Sequence, residues 1–255
     1  MRKIAVINQK GGSGKTTTVV NTGVVLARTG RKVLLIDLDP QAHTTIHLGL
    51  EPPSVNNSAY EVLVGKLPIQ QALATTQEKG LFLLPSKIEL ASAEIELVTT
   101  VGREAVLRDA LKNLRQHFDY IIVDCPPSLG LLTLNALTAM REVLIPIQAE
   151  FFALEGLTKL LQTIEIVQQR INRDLAITGV LITMYDERKN ICRDVARKVK
   201  EHFKDKVFRT RIRENVRLAE APSFGKAILD FAPSFHGSED YQKLTREIIR
   251  QEEHV

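Results

Sequence analysis

"KIAVINQKGGSGKTTT", residues 3–18, decides the fold. Its first six residues are a nearly continuous apolar run, the pattern of a strand buried on both faces in a parallel sheet. A glycine-rich stretch follows, then a segment of helical length from Lys15 until Gly30, then a second apolar run, "KVLLIDLD" (32–39). Strand, glycine-rich loop, helix and strand make a βαβ unit. Gly14-Lys15-Thr16 closes a phosphate-binding P-loop. The usual pattern, G-x-x-x-x-G-K-[ST], wants glycine at position 9; here Gln9 stands there, followed by a second lysine, Lys10.

The same strand reading holds for "YIIVD" (120–124), "EVLIPI" (142–147) and "AITGVLITM" (176–184). Helices are expected near 58–75, 87–113, 131–140, 154–171, 189–204 and 238–251, with Pro52-Pro53 and "PPSLG" (126–130) as loops. This alternation predicts an α/β fold: a doubly wound, mostly parallel sheet with helices on both faces, as a single P-loop NTPase domain over residues 1–255. Its ligands belong at the C-terminal ends of the strands.

Composition fits a globular chain of 255 residues, with 44% hydrophobic and 25% charged content. With no tryptophan and few aromatics, the core must be built from Leu, Ile, Val and Ala. Cys125 and Cys192 lie far apart without metal-ligand spacing, which argues against a zinc site or a disulfide framework. No apolar run is long enough to span a bilayer, and the N-terminus runs directly into a strand, so a cytoplasmic location is expected. Net charge is only +4, but between Arg188 and Arg217 twelve Lys/Arg face four Asp/Glu, while the remainder is slightly acidic.

Glycines in a P-loop let successive backbone N–H groups converge on phosphate, and the following helix N-terminus adds positive potential. Gly11, Gly12, Ser13 and Gly14 supply that backbone; Lys15 reaches the β/γ-phosphates of ATP, Thr16 offers a hydroxyl to Mg²⁺, and Thr17 suits the α-phosphate. Asp124 ends "YIIVD", where a carboxylate supports Mg²⁺ and its waters. Asp37 and Asp39 end the second strand beside the same sheet edge, where an acid can orient the attacking water.

"KGGSGKTTT", "LLIDLDPQ", "YIIVDCPPSLG" and "NVRLAEAPSFGK" together resemble the ParA/MinD group of deviant-Walker ATPases, in particular short chromosomal ParA (Soj) proteins. The resemblance covers essentially the whole chain. It implies that Lys10 reaches across an ATP-sandwiched homodimer to the partner's phosphates, a trans-acting cation on a crowded γ-phosphate. It also implies that Asp39 positions the hydrolytic water and adds to the Mg²⁺ site with Thr16 and Asp124. Base and ribose contacts fall around Met184 and Ile212 to Asn215. Two departures stand out: Arg213 where relatives commonly have proline, and Ala42-His43 where Gly-Asn is frequent, with His43 read as a solvent-facing loop residue.

Residues 189–204, "KNICRDVARKVKEHFK", read as an amphipathic helix with an apolar stripe of Cys192, Val195, Ala196, Val199 and Phe203. Lys189, Arg193, Arg197, Lys200 and Lys204 form a basic stripe, read as free of i,i+4 acidic partners. The residues alone leave a solvated face and a phosphate-tracking face as equal readings. The resemblance favours nonspecific double-stranded DNA, with Arg217, Lys226 and Arg246 joining the surface, a ParB-like protein stimulating hydrolysis, and a nucleoid association. Two rivals share the P-loop. A MinD-like membrane-associated positioning ATPase needs an apolar C-terminal anchor, whereas "YQKLTREIIRQEEHV" has a thin stripe, Tyr241, Leu244 and Ile248, that suits docking on the domain. An iron–sulfur reductase needs cluster cysteines that Cys125 and Cys192 are poorly placed to supply.

Overall fold

The computed structural model describes residues 1–150 and 155–254. In chain order the elements are β1 (Arg2–Val6), α1 (Lys15–Arg28), β2 (Val33–Asp37), α2 (His43–His47), α3 (Ala59–Leu63), β3 (Ala74–Thr75), β4 (Leu81–Leu84), α4 (Leu90–Glu96), α5 (Val106–Lys112), β5 (Tyr120–Asp124), α6 (Leu131–Ala139), β6 (Glu142–Gln148), α7 (Glu155–Arg170), β7 (Ala176–Tyr185), α8 (Asn190–Phe203), β8 (Val207–Arg213), α9 (Val216–Glu220), α10 (Ile228–Phe231) and α11 (His236–Arg250).

Among the described residues, eight strands form one sheet in the order β3-β4-β2-β5-β1-β6-β7-β8. Every pairing is parallel except that of β3 with β4. The register brings three strand ends together: Val6 pairs with Asp124, and Asp124 with Asp37. The buried strands β2 and β5 explain the unalternated runs, since both faces are covered. On one face Ile4, Val6, Val33, Leu35 and Tyr120 pack with α1 and α11; on the other Ala5, Ile7, Leu34, Ile36 and Ile121 pack with α3 to α8.

Several sequence expectations need correction. The segment 58–75 is not one helix: Gly65 and Pro68 end it after α3, and β3 follows. The segment 87–113 divides at Gly102, whose φ of +73° stops a helix, into α4 and α5 with short 3₁₀ turns between. Pro52–Ser54 is a 3₁₀ turn. The strands β3, β4 and β8 are additions to those the sequence predicts; "LFLL" is too short to stand out, and "VFRTRIR" reads as a basic stretch, not a strand. The first residue of the helix expected over 154–171 lies outside the described residues; from Glu155 the helix is present.

α8 buries the five apolar residues that its periodicity selects. In α11, Tyr241, Leu244 and Ile248 are buried against α1 and β8, so the C-terminal stripe is docked on the sheet. No helix among the described residues is long and apolar enough to cross a membrane. Leu244 is wholly buried, and its truncation leaves a cavity. Leu244→Ala is expected to cost about 2–5 kcal/mol in urea unfolding. Arg250→Ala, on the exposed side of α11, should stay within about 0.5 kcal/mol.

Candidate nucleotide site and basic surface

The P-loop turns between the end of β1 and the first turn of α1. Gly12 and Gly14 take φ of +74° and +88°, which a side chain would strain. Gly14 caps α1 without a side-chain hydrogen bond, so its first N–H groups face the loop's hollow. Thr183 of β7 donates its hydroxyl to the Ser13 carbonyl at 2.9 Å, and Asn8 pins the loop's entry through its bonds to Pro146 O (2.6 Å) and Lys10 N (2.9 Å). The Ser13 hydroxyl is buried without a partner among the described residues.

Lys15 is buried, its ammonium donating to the Lys10 carbonyl at 3.2 Å. Burial lowers its pKa, while Asp124 and Asp39 oppose that shift. Asp124 Oδ2 accepts hydroxyl hydrogen bonds from Thr16 (2.7 Å) and Thr44 (2.8 Å). Its Oδ1 is buried without a partner among the described residues. Asp37 accepts from Asp39 N (3.1 Å), Thr45 N (2.9 Å) and the Thr45 hydroxyl (2.7 Å). Asp39 accepts from Gln41 N at 2.9 Å. Burial, and the neighbouring charge of Asp124, push the Asp37 carboxyl up; burial likewise raises Asp124.

A cleft of about 410 Å³ gathers most of the residues that the sequence proposed. Gly11, Gly12, Gly14, Lys15, Thr16, Thr17 and Asp39 line one end; Met184, Ile212, Arg213 and Asn215 line the other. Asn215 commits its side-chain oxygen to the N-cap of α9, accepting from Arg217 N at 2.9 Å. The Arg213 guanidinium is held by Asp240 and Glu239 of α11, so it is committed to the fold rather than extended over a base. Met184 has φ of +51° at the end of β7, which turns its side chain out beside the cleft. Ala42, at the other departure, has φ of +55°, the left-handed region that glycine occupies without penalty. His43 is exposed and borders the cleft.

Lys10 is half-exposed and ion-paired with Glu150 of its own chain. Sequence reasoning missed Thr44, Thr45 and Thr183, whose hydroxyls fix the carboxylates and the loop. The signal was the pair of threonines in "DPQAHTT", whose role only the folded hydrogen bonds reveal. It also missed His47: buried, with Nε2 3.2 Å from the Lys226 carbonyl and Nδ1 without a partner among the described residues. Burial lowers its pKa to about 4, so the ring is neutral and its Nε2–H donates.

The basic stripe of α8 is exposed, but it is not free of acids. Lys189 pairs with Glu214 (2.6 Å), Arg197 with Asp194 (2.9 Å) and, beyond the helix, Arg217 with Glu220 (2.8 Å). The partners lie at i,i+3 or on another element, where an i,i+4 rule does not look. Such exposed pairs are worth about 0–1 kcal/mol, so a competing phosphate can displace them. Arg193 bonds to the Glu187 carbonyl and Asn190. Lys200, Lys204, Lys226 and Arg246 are exposed and have no carboxylate partner among the described residues.

Comparison with known proteins extends this geometry. A family model described as an AAA domain matches residues 1–177. The chain is 51% identical to the sporulation initiation inhibitor protein Soj of Bacillus subtilis, over 96% of this chain and 97% of that one. It is 47% identical to the chromosome partitioning protein ParA of Caulobacter vibrioides, over 99% and 95%. Among solved structures, cobyrinic acid a,c-diamide synthase from Mycobacterium smegmatis with a bound ATP analog and magnesium has 40% identity and a TM-score of 0.88, covering 99% of this chain and 96% of that one.

The carboxylate pair sets a pH dependence. Raised pKa values mean that the folded state holds more protons than the unfolded chain above about pH 4, so stability falls as pH rises there. Without nucleotide or divalent cation, the melting temperature is expected to decline from about pH 5 toward neutrality, by an amount that Asp37→Asn reduces. Parallel profiles for wild type and variant would show that the pair does not titrate in this way.

Proposed function

This chain belongs to the AAA-domain family matched above and, within it, to the Soj/ParA group of chromosome-partitioning ATPases, and on that premise we propose that it is an ATP-driven DNA-partitioning switch. The observation that carries this reading is the convergence of Lys15, Thr16, Asp39 and the Met184–Asn215 side on one cleft of nucleotide size. In this reading residues 1–255 act as a single domain that works in the cytoplasm on the nucleoid.

ATP phosphates lie on the N–H groups of the P-loop, with Lys15 moving from the Lys10 carbonyl to the β/γ oxygens. The donor set fits Mg²⁺: the Thr16 hydroxyl and a buried Asp124 oxygen that has no partner among the described residues are hard oxygen donors that would hold the ion. A bound ion would supply positive charge against the phosphates, and Asp124 would hold it in its ionised form. Asp39, at the end of the β2 segment, orients the attacking water and receives its proton. Hydrolysis resets the switch, and a ParB-like partner accelerates it.

Lys10 serves a second copy of the chain in an ATP-dependent homodimer, and to reach that copy's phosphates it must leave Glu150. Nonspecific duplex DNA binds to the dimer's basic surface, whose cations reach phosphates and carry no base information. A gel shift on unrelated duplex with ATP, ADP or no nucleotide tests the reading: retardation should depend on ATP, and binding that ignores nucleotide would defeat it.

Asp39→Ala should bind ATP and dimerise yet hydrolyse about 10²–10⁴-fold more slowly in a phosphate-release assay. Near-normal turnover would move the water-positioning role to another residue, Asp37 first. Lys10→Ala should weaken ATP-dependent dimerisation, followed by light scattering, more than nucleotide binding, followed by titration. Equal losses in both would assign Lys10 to its own subunit's loop.

A further inference from the structure

A groove of about 1050 Å³, larger than the nucleotide cleft, lies on the far edge of the sheet. Its floor is β8, and the turn Tyr185–Lys189, which leads into α8, forms one wall. Alternation along β8 puts Phe208 and Ile212 on the α1/α11 side of the sheet and Val207 on the α8 side. Arg209 and Arg211 therefore share the α8 side with Val207, and both are exposed. Two residues apart on one strand, they stand about 6.7 Å from each other along it.

These two arginines differ from the other cations around them. Arg188, Lys189, Arg213, Arg217 and Lys243 each have a carboxylate partner; the guanidiniums of Arg209 and Arg211 have none among the described residues. Arg211 instead lies over the Tyr185 ring, 4.4 Å from its centroid, which holds the guanidinium plane in place while leaving its N–H donors free. Positive residues on an edge strand commonly serve to discourage strand pairing. Here that task is already covered: the Glu247 carboxylate accepts from Arg209 N and Thr210 N, each at 2.8 Å. The arginines are left with nothing among the described residues to neutralise.

We propose that this groove, with Arg209 and Arg211 on its floor, carries a phosphate backbone of duplex DNA alongside the N-terminal end of α8; the inference rests on the DNA-binding reading above. Two exposed cations spaced along one strand suit successive phosphates of one DNA strand, and neither needs to give up an internal ion pair among the described residues. The α8 stripe, by contrast, gives up two such pairs.

The test is fluorescence anisotropy of a labelled duplex of arbitrary sequence, with full-length protein, ATP and Mg²⁺, across a range of salt. Arg209→Ala/Arg211→Ala should weaken binding on the order of 10–100-fold near 0.1 M salt and lower the log–log salt slope by about 1 for each phosphate no longer neutralised. Arg209→Lys/Arg211→Lys should recover most of the affinity, since the charge remains. Wild-type affinity in the alanine pair, with weaker binding in Lys200→Ala/Lys204→Ala, would place the DNA on the helix alone and overturn the proposal. Equally weak binding in the alanine and lysine pairs would make packing on Tyr185 the cause and also overturn it. A wild-type protein that binds no duplex with ATP would overturn the DNA-binding reading itself, a result distinct from the other two.

Discussion

One carboxylate oxygen, Asp124 Oδ2, holds the site together. It accepts from Thr16 in the first turn of α1 and from Thr44 in α2, so the phosphate loop and the segment after β2 are fastened to the same strand end. The parallel register makes this geometry available, because Val6, Asp37 and Asp124 end adjacent strands at one level. The other oxygen of Asp124 is buried and has no partner among the described residues, and burial together with the nearby charge of Asp124 raises the proton affinity of Asp37. A buried acceptor without a partner costs about 1–3 kcal/mol, more when charged. The sheet carries that cost at the place where, in the proposed function, a divalent cation would remove it.

The positive side is arranged in the complementary way. Lys15 is buried with its ammonium on a backbone carbonyl, and Lys10 is held by Glu150. Neither lysine is lodged in a strong buried ion pair, so each can exchange its present partner for a phosphate at modest cost. In the proposed function, the region around the P-loop thus offers acceptors to a cation and donors to an anion.

What could be read from the sequence follows the strength of local signals. β1, β2, β5, β6 and β7 are apolar runs ended by polar residues, and their periodicity leaves little choice. β8 was hidden because its outward positions are arginine, so the half-buried strand "VFRTRIR" looked like a charged tract. The helix breaks at Gly65 and Gly102 were visible as residues but were overridden by the apolar pattern around them. At the site, motif spacing and strand ends brought Lys15, Thr16, Asp39 and Asp124 to one end of the sheet, and the family resemblance added Met184. Spacing could not reveal that Arg213 is clamped by Asp240 and Glu239, or that Lys189 pairs with Glu214, since those contacts join segments remote in sequence.

The short helix α2 has a mechanical consequence. On one side Thr44 and Thr45 are bonded to the two buried aspartates; on the other the neutral ring of His47 donates to the Lys226 carbonyl. Next to that bond the chain has no slack, because a methyl group on Gly225 would stand 2.8 Å from the Gly49 Cα. A displacement of α2 at the aspartates therefore has two outcomes. Either the 221–226 loop travels with it, or an imidazole N–H is stranded in the interior at a cost of about 1–3 kcal/mol. The helix is a rocker: one arm rests on the strand ends, the other on the backbone beneath an exposed lysine.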